Sequence, residues 1–289
     1  MRAVVCLITP DIKKKSPDTP DTPDTPQFTG YYAPITATSG DALLGQIHDL
    51  ITTTHTHYST YGDIRKADIV GKTDKGSTDG YIMDFYTQED ISIEWNSGSP
   101  AGAWNREHLW CTSLSNGLWS KVNNDYIGGG ADLHHLRPSE VKLNADRGNK
   151  KYGEVKDSGS SYATLYYKDS SNKDKYVGGY SSGNTFEPLD KVKGDVARIV
   201  LYVYTHYNPY ANVHGTTNGT FEDSNFRTLN FKDIMAPNVE SEAIALLLKW
   251  NELDPVDEIE TARNEAVFAI QGNRNPFVDH PEFVKAIWG

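Results

Sequence analysis

Cysteine is nearly absent: the 289-residue chain holds only Cys6 and Cys111. Cys6 falls in a stretch that does not read as folded, so no disulfide framework is expected. Nothing resembles a zinc ribbon or a CxxC redox pair. Long apolar runs are missing too, which excludes a transmembrane helix built from consecutive apolar residues. Positive charge is in short supply, with 28 Lys and Arg against 39 Asp and Glu and a net charge of -11. That balance excludes a body coated in positive charge for nucleic acid. Aromatic residues, in contrast, are plentiful. The chain carries 17 Tyr and 6 Trp, and its hydrophobic fraction is 37%, enough for a sizeable core.

Length allows one large or two small domains. No strong linker follows the N-terminal stretch, so one domain is expected over residues 31–289, preceded by a disordered segment over residues 1–30. That segment has a short apolar run from Ala3 to Ile8, then Asp-Thr-Pro three times between Asp18 and Pro26. Repeated proline favours an extended, solvated spacer. A secreted or extracellular protein is expected, with surface anchoring through this segment (Cys6 as the lipid acceptor) as one option and a plain tail as the other.

Beyond it, apolar spacing predicts helices over residues 40–53, capped by Ser39, and over residues 192–207, 240–252 and 257–271, the last closed by Gly272. Residues 81–86 and 91–95 read as strands separated by a polar turn. The fold class expected is α+β, mainly helical, with few and short strands.

Chemistry concentrates between Trp104 and Tyr152. Trp-Asn-Arg-Glu-His (104–108) is followed by a loop ending in Gly128-Gly129-Gly130. Asp-Leu-His-His-Leu-Arg-Pro (132–138) comes next, then Asn-Ala-Asp-Arg-Gly-Asn (144–149). A strand ending at Glu107-His108, a returning strand over residues 132–136 and a helix after Pro138 would bring these residues together. Hydrolysis of a phosphodiester needs a base for water and a cation for charge developing on oxygen. Histidine suits the first. Mg2+ suits the second, and Glu107 with Asn149 offers the oxygen ligands it prefers. Successive strand residues face opposite sides, so Glu107 and His108 can share a site only where the strand twists or ends. From Arg137 to Lys151 there are five basic residues and two acidic ones, a local strip suited to a phosphate or, more blandly, a solvated helix face.

These ordered blocks, with Gly-Asp-Val-Ala-Arg (194–198) and Gly-Asn-Arg-Asn-Pro-Phe-Val-Asp-His-Pro (272–281), resemble the endonuclease I family of secreted bacterial nucleases, whose site is the ββα-metal (His-Me) finger. The resemblance spans about Tyr31 to the C-terminus. It implies that His108 is the general base and that Glu107 and Asn149 hold Mg2+, with Mn2+ or Ca2+ as substitutes. It implies cleavage of DNA, and of RNA as well, with little sequence preference and 5′-phosphate products. An arginine on the phosphate is also implied, Arg147 first and Arg137 second. Arg198 reads as an ion-pair partner within its helix. A monomer is expected.

Two rivals stand beside this reading. A zinc hydrolase would use His108, His134 and His135 with a carboxylate. A non-catalytic surface module would bind glycans or protein through its Tyr and Trp residues.

Overall fold

The computed structural model describes residues 28–64, 67–94, 103–115, 119, 121–122, 125–126, 128–168, 175–208 and 229–289. The Asp-Thr-Pro spacer, Cys6 and Trp95 lie outside the described residues.

The elements run α1 (Gly40–Thr54), α2 (Tyr61–Ile64), α3 (Ala67–Thr73), β1 (Tyr81–Met83), β2 (Asp90–Ser92), β3 (Trp104–His108), β4 (Lys121–Val122) and β5 (Asp125–Tyr126). They continue with β6 (Leu136–Glu140), α4 (Val141–Arg147), β7 (Lys151–Tyr152), β8 (Ala163–Lys168), β9 (Lys175–Ser182), β10 (Thr185–Glu187) and α5 (Asp190–Tyr207). The C-terminal part is α6 (Phe231–Ile234), α7 (Glu240–Leu253), α8 (Glu258–Gln271), α9 (Pro276–Asp279) and α10 (Glu282–Trp288). The fold is therefore mixed α+β.

At its centre stands α5, whose Val192, Val196, Ile199, Val200 and Val203 are all buried, with α1, α7 and α9 packed around it. A helix apolar on most sides must be enclosed by others. Inside α5, Arg198 is fully buried and its Nε donates to Glu260 on α8 at 2.8 Å. The sequence reading of an ion pair within its own helix holds only for Asp195 at 3.4 Å, since the main partner is on α8.

The helices expected from periodicity are present within a few residues. Asp257 caps α8 by accepting from the Glu260 amide, and Gly272 closes it with φ of 86°. Ser39 precedes α1 but makes no side-chain cap bond. The strands differ more. The pair near residue 85 is short, β1 with β2. The returning strand is not residues 132–136 but β6, four residues further on, and the helix begins after it at Val141. Residues 133–135 form a turn instead, in which the His135 and Leu136 amides both donate to the Asp132 carbonyl at 3.0 and 2.8 Å. A four-stranded sheet, ordered β7-β10-β9-β8, was not anticipated.

That sheet backs the helix that follows β6. A Cβ on Gly178 of β9 would come within 2.4 Å of Leu143 Cδ2 on α4. Only glycine lets the two approach so closely.

Candidate active site

β3 and β6 pair antiparallel, with Glu107 opposite Arg137 and His108 opposite Leu136. α4 packs on both strands, so the chain makes a β–β–α unit. Glu140 links strand to helix, its side chain accepting from the Leu143 amide at 2.9 Å. Gly148 ends the helix with φ of 55°, a left-handed turn that a side chain would strain. Asn149 follows on that turn, exposed. Its amide makes no hydrogen bond with a described residue.

β3 ends at His108, the condition set by the sequence for Glu107 and His108 to share a site. Glu107 is buried, and its Oε1 accepts from the Tyr86 hydroxyl at 2.7 Å and lies 3.2 Å from Arg147 Nη1. Tyr86 in turn contacts the Tyr152 hydroxyl at 2.8 Å. Burial raises the Glu107 pKa, while Arg147 and the Tyr86 hydroxyl oppose that rise. No hydrogen bond from a described residue reaches its second oxygen. A carboxylate oxygen and an amide oxygen are ligand types that a small divalent cation such as Mg2+ takes.

His108 is also largely buried. Its Nε2 sits 2.8 Å from the Gly130 carbonyl. A carbonyl can only accept, so Nε2 carries the proton and Nδ1 keeps its lone pair. Tyr61 stacks on the ring with centroids 5.3 Å apart, and Tyr126 meets it edge-on at 5.1 Å. Burial above all, then the neighbouring His135, lowers the His108 pKa to about 3. The imidazole is neutral at ordinary pH.

Arg147, fully buried, ties the unit together. Its Nη1 donates to the His108 carbonyl at 3.2 Å and to the Gly148 carbonyl at 3.1 Å, and touches Glu107 as well. Its Nη2 donates to the Leu109 carbonyl at 2.7 Å. One nitrogen thus gathers the end of β3, the Glu107 carboxylate and the turn bearing Asn149. Arg137 turns the other way. It lies 3.5 Å from Asp74, beside Arg263, on a cavity of about 270 Å³ that Asp195 and Glu260 also line. Of the two arginines expected on a phosphate, Arg147 is thus enclosed and Arg137 faces that cavity.

His134 and His135 are both buried. His134 Nε2 meets the Asn273 carbonyl at 3.1 Å. His135 Nδ1 donates to Gly129 at 2.7 Å, and its Nε2 accepts from the Trp110 amide at 2.9 Å. The His108 and His135 rings lie 5.5 Å apart, but His108, His134 and His135 do not form a group with metal-ligand spacing among the described residues. A different group with metal-ligand spacing does exist among the described residues: His55, Asp132 and His206. Sequence reasoning missed it, along with Tyr61, Tyr86 and Gly130. None has a local signal, because Tyr86 lies 21 residues from Glu107 and His55 lies 151 from His206.

Comparison with known proteins agrees with the geometry. The family model described as Endonuclease I matches residues 39–282. The chain is 36% identical over 259 residues to the extracellular ribonuclease of Bacillus amyloliquefaciens, covering 89% of this chain and 78% of that protein. The extracellular ribonuclease of Bacillus subtilis (strain 168) matches with the same identity and coverage. Endonuclease-1 of Buchnera aphidicola subsp. Acyrthosiphon pisum (strain APS) is 25% identical over 216 residues, covering 73% of this chain and 70% of that protein.

Proposed function

The chain belongs to the endonuclease I family, and from that premise we propose a secreted, Mg2+-dependent endonuclease that cuts DNA and RNA with little sequence preference, leaving 5′-phosphates. Hydrolysis of nucleic acid follows from the family. Secretion and RNA as a substrate are supported by the extracellular ribonucleases among its relatives.

The observation that carries the site assignment is the shared contact of Arg147 Nη1 with Glu107, the His108 carbonyl and Gly148. It supports reading the β–β–α unit as a His-Me finger. His108 is the general base: Nε2 is held on Gly130, and Nδ1 takes a proton from the attacking water. Glu107 and Asn149 are the residues that would hold Mg2+, which when bound offsets charge on the phosphate and on the leaving 3′-oxygen. Tyr86 and Arg147 fix the Glu107 carboxylate, so its free oxygen keeps one direction. Tyr61 covers one face of the base and excludes water from it. With Arg147 fully buried and Arg137 turned toward Asp74, the phosphate contact passes to the basic strip around α4, where Lys142 is exposed and Lys150 and Lys151 are half-buried. Such contacts read the backbone and not the base edges. Since His108 stays neutral to about pH 3, loss of activity in acid starts below the ordinary histidine range.

Digestion of plasmid, linear DNA and RNA with and without EDTA tests the metal requirement. Glu107→Ala and Asn149→Ala should each raise the Mg2+ concentration for half-maximal cleavage by about tenfold or more. An unchanged Mg2+ titration in folded variants would remove them as ligands.

A further inference from the structure

Asp132 is 1% exposed, yet no cation pairs with it among the described residues. Its partners are four neutral donors. Oδ1 accepts from the His134 amide at 2.8 Å and from Gln271 Nε2 at 2.9 Å, and Oδ2 from the Tyr202 and Tyr207 hydroxyls at 2.7 and 2.6 Å. A buried carboxylate without counter-charge is costly, because hydrogen bonds from neutral groups replace only part of its hydration.

Two imidazoles converge beside it. His55 follows α1, and His206 lies in the last turn of α5. Both are buried, with His55 Nδ1 2.9 Å from His206 Nε2. The ligand atoms of His55, Asp132 and His206 lie within 4.8 Å of one another. Nδ1 of His206 faces Thr52 Oγ1 at 3.3 Å, so its proton can sit there and leave Nε2 as a lone pair toward His55. The Nε2 of His55 is buried with no hydrogen-bond partner. Two buried ring nitrogens and a carboxylate without counter-charge thus offer their ligand atoms to one position.

We propose that His55, His206 and Asp132 bind a zinc-class divalent cation, at a site separate from the Glu107–Asn149 pair. Two imidazoles and one carboxylate are a zinc ligand set and a poor one for Mg2+, which prefers oxygen. Zinc–nitrogen bonds of about 2.0–2.1 Å in tetrahedral geometry ask the two nitrogens to separate by only a few tenths of an ångström. The ion would take the Oδ2 direction that Tyr207 now uses, the half-buried donor of the four. Tyr58 stacks on His55 at 4.0 Å and is itself exposed, so the site lies one ring beneath the surface. It joins α1, α5 and the turn before β6. Asp132 stands two residues beyond Gly130, whose carbonyl holds His108, so the ion would stiffen the support of the catalytic base without touching the base. None of this depends on the catalytic assignment.

The test uses the full chain carrying Asn149→Ala, an exposed position whose loss weakens the proposed Mg2+ site. Titrated with ZnCl2 after chelation, it should bind one equivalent and unfold at higher temperature. Co2+ in place of Zn2+ should give the intense visible absorption of a tetrahedral site. His55→Gln and His206→Gln, each added separately, should weaken Zn2+ binding by at least about tenfold, with far-UV circular dichroism reporting the fold. Absence of zinc binding and of any thermal shift in the Asn149→Ala protein would overturn the proposal. So would full-affinity binding in a folded His55→Gln or His206→Gln variant, or an octahedral Co2+ spectrum.

Discussion

At the scale of single residues, Arg147 shows how much of the β–β–α unit rests on one buried guanidinium. Its guanidinium is fully buried, with three backbone carbonyls and the Glu107 carboxylate around it. Removing one partner of a buried ion pair leaves the other charge uncompensated, at a cost of about 3–5 kcal/mol. Arg147→Ala should lose stability on that scale in urea denaturation and should be nearly inactive. A loss below about 1 kcal/mol with normal cleavage would show that the clamp does not matter.

His135 makes the second residue-scale case. Its Nε2 accepts from the Trp110 amide, so the ring must be neutral. Burial lowers its pKa to about 4, against its hydrogen bond to Gly129. The unfolded chain takes up the proton near pH 6.5 and the folded chain only near 4. The associated stability is therefore fully present above about pH 6.5 and is lost as pH falls toward 4. At pH 5 this amounts to about 2 kcal/mol, visible as a lower thermal midpoint. His135→Gln should flatten that part of the profile, and an equally steep fall in that variant would assign it to other groups.

At the scale of elements, the long helices were legible because burial follows a 3.6-residue period. Leu43, Leu44, Ile47, Leu50 and Ile51 of α1 are all on the buried face. Asp132 to Leu136 misled because all five residues are buried, and a short buried run does not distinguish strand from turn. The deciding feature is the Asp132 carbonyl, which takes two amides and closes a turn. The sheet of β7 to β10 was hidden for the opposite reason. Tyr166 is exposed, and Leu165, Tyr176 and Val177 are only partly covered, so no apolar alternation marks it. For the proposed site, Glu107, His108 and Asn149 are named from their order along the chain and the family resemblance. Tyr61, Tyr86 and Gly130 could not be, since only the tertiary fold brings them near. One element contact is open to test. Gly178→Val would drive a Cβ into Leu143 on α4, and should cost about 1–3 kcal/mol and shift the turn bearing Asn149. Thermal unfolding should register the first and a raised Mg2+ requirement the second. Unchanged values for both would mean that β9 does not brace the helix.

At the scale of the whole molecule, an acidic chain of net charge -11 offers the polyanion proposed as its substrate only a small basic strip. That arrangement favours brief contact with phosphate over tight holding. The body behind it is built around α5, and the β–β–α unit joins it through Asp132, which Tyr202 and Tyr207 of α5 hold by their hydroxyls. Everything about catalysis converges on whether one imidazole, oriented by Gly130, draws the proton from water. The direct measurement is the cleavage rate of linear DNA and of RNA at saturating Mg2+ for wild type and for His108→Ala of verified fold. The account predicts a fall of about 10²-fold or more on both substrates with Mg2+ binding retained. A variant that cuts at the wild-type rate would contradict it.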